Sequence, residues 1–100
     1  MRKGGGREQR GGSARRLAVQ CLLRWERDRQ PVQTHIDAII HGASLSPPDR
    51  QLAVMLVLGV LRRLQYLDRI IADYSRVPPA KMKPLTLMAL RVGVYQLLFL

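Results

Sequence analysis

Arginine carries most of the chemistry this sequence can offer. Seventeen residues are Lys or Arg, and only Lys3, Lys81 and Lys83 are Lys. Against seven Asp and Glu they leave a net charge of +10 at pH 7. A guanidinium presents paired donors that match phosphate oxygens, so this balance points to phosphate or acidic surfaces. The charge is spread along the chain. Residues 1–12 read MRKGGGREQRGG and bring Arg2, Lys3, Arg7 and Arg10 against Glu8. Further on, Arg16, Gln20, Arg24 and Arg27 recur at a spacing that gathers them within about 80° on one side of a helix. An arginine face on a helix is often ordinary solvation. Here a basic arm runs straight into a basic stripe, which favours an anion-binding surface.

Other reactive side chains offer less. His35 and His41 stand six apart, the wrong interval for one helix face, and no acid-rich pattern accompanies them, so no metal site is expected. Cys21 is the single cysteine, which excludes a disulfide framework and fits a reducing cytoplasm. It falls among apolar neighbours at helical spacing and reads as a buried, inert thiol. Gly4-Gly5-Gly6 lacks both the preceding strand and the Gly-Lys-Ser/Thr ending of a phosphate loop. No catalytic constellation appears, so no enzymatic activity and no cofactor are expected within these residues. Arg91 sits in an apolar stretch and is either an RNA contact or the partner of a buried acid, with Asp49 and Asp68 as candidates. The pairing is the favoured reading, because a buried Arg without a partner costs several kcal/mol.

These residues need elements to position them. One hundred residues with 47% hydrophobic content allow one domain with a real core. Residues 1–12 have no core-forming side chain beyond Met1 and are expected to be a flexible arm. A first helix is expected from the Ser13 N-cap to residue 28, burying Ala14, Leu17, Ala18, Cys21, Leu22 and Trp25. Pro31 marks a loop. Residues 34–41 carry Ile36, Ile39 and Ile40 at helical spacing, with Gly42 as C′ residue. Ser46-Pro47-Pro48-Asp49 is a strong helix start, opening a third helix over 47–63. Its stretch 52–61 is apolar all round, which makes it a central element. It is too short for the ~20 residues of a membrane span. Gly59 within it predicts close approach of a neighbouring helix. Residues 64–74 form a fourth helix, joined through a bend near 63–66. Pro78, Pro79 and Pro84 then break the chain. A last helix runs from Pro84, apolar on every side, with Gly93 as a second close-packing candidate. Its end, 94–100, has no cap and no polar last turn. Leu97, Leu98, Phe99 and Leu100 are therefore expected to need a cover, and a homodimer through this end is one way to supply it.

Four segments in order resemble a known family. Ala14-Arg15-Arg16-Leu17-Ala18-Val19-Gln20-Cys21-Leu22-Leu23-Arg24-Trp25 is similar to the first helix of the NusB family. Asp49-Arg50-Gln51-Leu52, Leu58-Gly59-Val60-Leu61-Arg62-Arg63 and Leu67-Asp68-Arg69-Ile70-Ile71 resemble its middle. Leu90-Arg91-Val92-Gly93-Val94-Tyr95-Gln96-Leu97-Leu98 resembles its central helix. The combination is closest to the NusB-like N-terminal domain of bacterial ribosomal RNA cytosine-5 methyltransferases, the RsmB (Sun/Fmu) branch. The resemblance covers residues 13–100. It implies an all-α, NusB-like helical bundle, truncated after its central helix, that binds RNA. It places the RNA contacts of the family on Arg15 and Arg16, with Arg7 and Arg10 just before them. It also implies that S-adenosylmethionine and a cysteine nucleophile belong to a catalytic domain absent from these residues. The rival reading is a NusB-type transcription antitermination module that binds RNA and a protein partner. A third is a structural role in which the charge serves solubility alone.

Overall fold

The computed structural model describes residues 2–100, with side chains from Gly12 onward. The fold is all-α. Helix α1 spans Arg2–Asp28, α2 Val32–His35, α3 Pro47–Arg62, α4 Leu64–Tyr74 and α5 Pro84–Phe99. A π-helical turn, Ile36–Ile40, continues α2, and a 3₁₀ turn, Pro79–Lys81, precedes α5. α1 lies against both α3 and α5, α4 lies against α5, and the π-helical turn closes over α1 and α3.

The helical period of α1 decides this arrangement. Ala14, Ala18, Cys21 and Leu22 are fully buried, as the wheel requires, while Leu17 and Trp25 are partly covered. Two alanines on the inward face let α1 sit close to its neighbours. Ile36, Ile40, Leu56, Val57, Val60, Leu67 and Met88 fill the space between the helices. Each such large side chain contributes ~1.5–3 kcal/mol by leaving water.

Several helix ends differ from the sequence reading. α1 begins at Arg2, upstream of Ser13, so Ser13 lies inside the helix and is not its N-cap. Its hydroxyl accepts instead from Arg16 Nη2 at 3.4 Å. The arm expected over residues 1–12 falls almost wholly outside the described side chains. α1 ends where Arg29 takes a left-handed φ of 52°. The guanidinium of Arg29 lies 4.2 Å from the Trp25 ring centroid and 3.2 Å from Glu26, contacts that offset that conformation.

The second helix begins at Val32, just after Pro31, and widens into the π-helical turn through His41 N–H donating to Ile36 C=O at 3.0 Å. Gly42 has no positive φ and so is not a left-handed cap. A Cβ there would stand 2.6 Å from the Ala38 carbonyl oxygen, and that close approach is why glycine fits. The start of α3 follows the sequence reading: Ser46 Oγ accepts from Asp49 N–H at 3.3 Å, with Pro47 in the first turn. The bend between α3 and α4 falls on Arg63, at φ −117° and ψ 25°.

The two candidate glycines separate. A Cβ on Gly59 would overlap the Tyr95 ring, so α3 and α5 do approach closely there. A Cβ on Gly93 would meet nothing within 4 Å, so Gly93 is not a packing glycine. The reason is that α5 buries only one face, through Leu87, Met88, Arg91, Val92 and Tyr95. Leu90, Leu97, Leu98 and Leu100 stay exposed, Leu97 by 85%. Phe99 is partly covered by the rings of Tyr66 and Tyr95.

Candidate nucleic-acid interface

Because α1 turns its alanines and Cys21 inward, its period turns Arg16, Gln20, Arg24 and Arg27 outward, and all four are exposed. From Arg16 to Arg27 the helix rises about 16 Å. Gln20, Leu23, Arg24 and Arg27 line a shallow groove of about 230 Å³ with Ile39 of the π-helical turn. Arg15 is also exposed but lies about 100° round the helix from Arg16, on the flank of the stripe. The side chains of Arg7 and Arg10 lie outside the described residues.

The acids nearest this stripe are engaged elsewhere. Glu26 pairs with Arg29 at 3.2 Å. Asp28 Oδ1 accepts from Gln30 N–H at 3.0 Å and meets His35 Nε2 at 2.9 Å. The Gln30 amide foremost, then His35, hold the Asp28 carboxyl below the usual carboxylate range. Among the described residues, Arg15, Arg16, Arg24 and Arg27 form no ion pair. The stripe therefore keeps its positive field, and the guanidiniums of Arg24 and Arg27 have their forks open for phosphate.

The remaining reactive groups are structural. His35 is buried at the junction of α1 and α2, where Asp28 holds it. His41 stands 4.0 Å from Asp37 on the surface. Burial pushes the Cys21 thiol up to about 11, with Arg24 partly offsetting it, so the thiol stays protonated and inert at neutral pH. Arg91 is 6% exposed and grips Asp68 with both ends of its fork, Nε to Oδ1 at 2.8 Å and Nη2 to Oδ2 at 2.7 Å. Its role is the ion pair, and of the two candidate acids the partner is Asp68. This pair ties α4 to α5 beside a cleft of about 450 Å³.

One group escaped the sequence reading. At the bend between α3 and α4, Arg62 and Arg63 are exposed, and the Arg63 guanidinium lies 4.0 Å from the Phe99 ring centroid. Tyr66, 53% exposed, meets the same ring edge-on at 6.1 Å. The signal was Arg-Arg followed three residues later by Tyr. Its meaning depends on Phe99, thirty-six residues beyond Arg63, so periodicity could not supply it.

The NusB family model matches residues 12–100. A probable ribosomal RNA small subunit methyltransferase B of Synechocystis sp. is 36% identical over 88 residues, which is 88% of this chain and 20% of that protein. The Bacillus subtilis probable ribosomal RNA small subunit methyltransferase B is 29% identical over 92 residues, again covering 20% of its length. The transcription antitermination protein NusB of Pseudoalteromonas atlantica is 29% identical over 84 residues, 84% of this chain and 60% of that protein. The chain thus spans about a fifth of the two methyltransferases. No solved structure matches it. With the family pattern running from the outset of the α1 stripe through the whole of α5, the chain belongs to the NusB family.

Proposed function

We propose that residues 13–100 form an RNA-binding domain that holds 16S ribosomal RNA for a cytosine-5 methyltransferase catalytic domain lying outside these residues. The observation that carries this is the outward face of α1, where Arg16, Arg24 and Arg27 are exposed and, among the described residues, have no acidic partner. The likeness to two ribosomal RNA methyltransferases over most of this chain supports the choice of RNA. Binding comes mainly from phosphate contacts, so this domain alone orients RNA more than it reads sequence. Arg7, Arg10 and Arg15 add to the same field. S-adenosylmethionine belongs to the catalytic domain.

A second reading is a NusB-type antitermination module with RNA and protein partners, favoured by the match to an antitermination protein over 60% of its length. Two measurements test these readings. Fluorescence anisotropy with a labelled 16S ribosomal RNA hairpin should show binding that weakens as salt rises, and salt-independent binding would contradict the phosphate mechanism. Reading the gene downstream of Leu100 separates the two. A following strand–helix domain with a Gly-rich turn supports the methyltransferase, and a stop within a few dozen codons supports the free-standing module.

A further inference from the structure

The bend between α3 and α4 carries a second concentration of cationic and aromatic side chains. Arg63 sits in the bend itself, with its N–H shared between the Gly59 and Val60 carbonyls at 3.2 and 3.1 Å, which fixes the direction in which the side chain leaves the backbone. Its guanidinium is laid over the Phe99 ring at 4.0 Å. Phe99 is in turn held by Tyr95 at 5.3 Å and by Tyr66 edge-on at 6.1 Å. The Arg63 guanidinium is therefore supported by an aromatic ring, while the residue as a whole stays exposed. Arg62 stands next to it, and Tyr66 offers an exposed ring and hydroxyl. Among the described residues no acid pairs with Arg62 or Arg63.

A propped guanidinium plane beside an exposed phenol is the arrangement that takes an unpaired base. A base stacks on the open side of the guanidinium or on the ring, while in-plane N–H donors reach the adjoining phosphate. A paired base has its faces covered by its neighbours in the stack and cannot use such a platform. We infer that Arg62, Arg63 and Tyr66, supported by Phe99, form a platform for an unpaired RNA nucleotide, distinct from the α1 stripe. The α1 stripe supplies phosphate contacts, and the bend selects single-stranded RNA. This inference rests on the RNA-binding reading of the domain, but on different residues.

The test uses the whole 100-residue chain with two fluorescent probes, a 12-nucleotide oligouridine and a blunt 12-base-pair RNA duplex. Arg63→Lys keeps the charge but loses the planar fork, and Tyr66→Ala removes the ring. Each should weaken oligouridine binding about five-fold or more, the lower end of what one base stack contributes, with duplex affinity changed less than two-fold. Tyr66→Phe should retain oligouridine binding. Melting temperatures confirm that each variant is folded. Oligouridine carrying 5-iodouridine should photo-crosslink to the tryptic peptide 64–69. Crosslinks confined to α1, or equal loss for both probes, would overturn the platform. An Arg24→Gln/Arg27→Gln variant separates the two ideas. If it leaves affinity intact while Tyr66→Ala lowers it, the α1 reading fails and the platform stands, and the reverse result removes the platform alone. If poly-glutamate competes as well as oligouridine and loses its effect in Tyr66→Ala, the surface serves an acidic protein and the inference is wrong.

Discussion

Replacing Arg24 and Arg27 together by Gln should weaken RNA binding through the counterion term, and the size can be worked out. Both side chains are exposed, line one groove and form no ion pair among the described residues, so each is open to a phosphate. On a single strand each phosphate contact adds about 0.7 to the steepness of log K against log salt. Losing two contacts should therefore flatten that slope by about 1.4. At 0.1 M salt the same relation makes each contact worth about five-fold, so the double variant should bind about 25-fold more weakly. Stability should stay within ~0.5 kcal/mol, because neither side chain supports the core. The assay is anisotropy with a labelled single-stranded 16S ribosomal RNA oligonucleotide from 50 to 200 mM salt, with the melting temperature of each variant as control. An unchanged slope would refute the reasoning even if affinity fell, since the loss would then have come from something other than phosphate.

Other consequences concern the fold. Asp68→Asn leaves Arg91 buried without its counter-charge and should cost toward the lower end of ~3–5 kcal/mol, because Asp68 itself is partly exposed; urea unfolding measures it. Gly59→Ala must displace the Tyr95 ring and should destabilise by about 1–2 kcal/mol, whereas Gly93→Ala meets open space and should stabilise by about 1 kcal/mol; thermal melts of both check the contrast. The folded carboxyl of Asp28 titrates below its unfolded value, so its contribution is complete above the ordinary carboxylate range and is lost as pH falls through and beneath it. Asp28→Asn should therefore flatten the acid side of the stability profile below about pH 4 and nowhere else, followed by melting temperature against pH. Leu97, Leu98 and Leu100 are exposed beside an apolar groove with Tyr74 and Leu90, so two copies of this chain should associate through α5 at micromolar concentration. Sedimentation as a clean monomer would remove that expectation.

The helices themselves could be read from the sequence because apolar periodicity and end chemistry agree. Ala14, Ala18, Cys21 and Leu22 point inward as their spacing demands, and Ser46-Pro47-Pro48-Asp49 opens α3 through its own side chain. Periodicity also placed Arg16, Arg24 and Arg27 outside. It failed where the answer lay in another segment. Nothing local distinguishes Gly59 from Gly93, since one faces Tyr95 and the other faces solvent. The choice of Asp68 over Asp49 for Arg91 depends on how α4 crosses α5. The start of α1 was misplaced because Ser13 has the chemistry of a cap without occupying the position of one. The propping of Arg63 by Phe99 joins the bend to the far end of α5, and no window of sequence contains both.

The central claim is that RNA lies along the outward face of α1. Backbone amide shifts of the ¹⁵N-labelled chain, titrated with a 16S ribosomal RNA hairpin at 50 mM salt, test it most directly. The account predicts the largest changes over residues 15–27 and at Ile39, reversed by raising the salt. Changes confined to α4 and the exposed side of α5, with α1 unmoved, would contradict it.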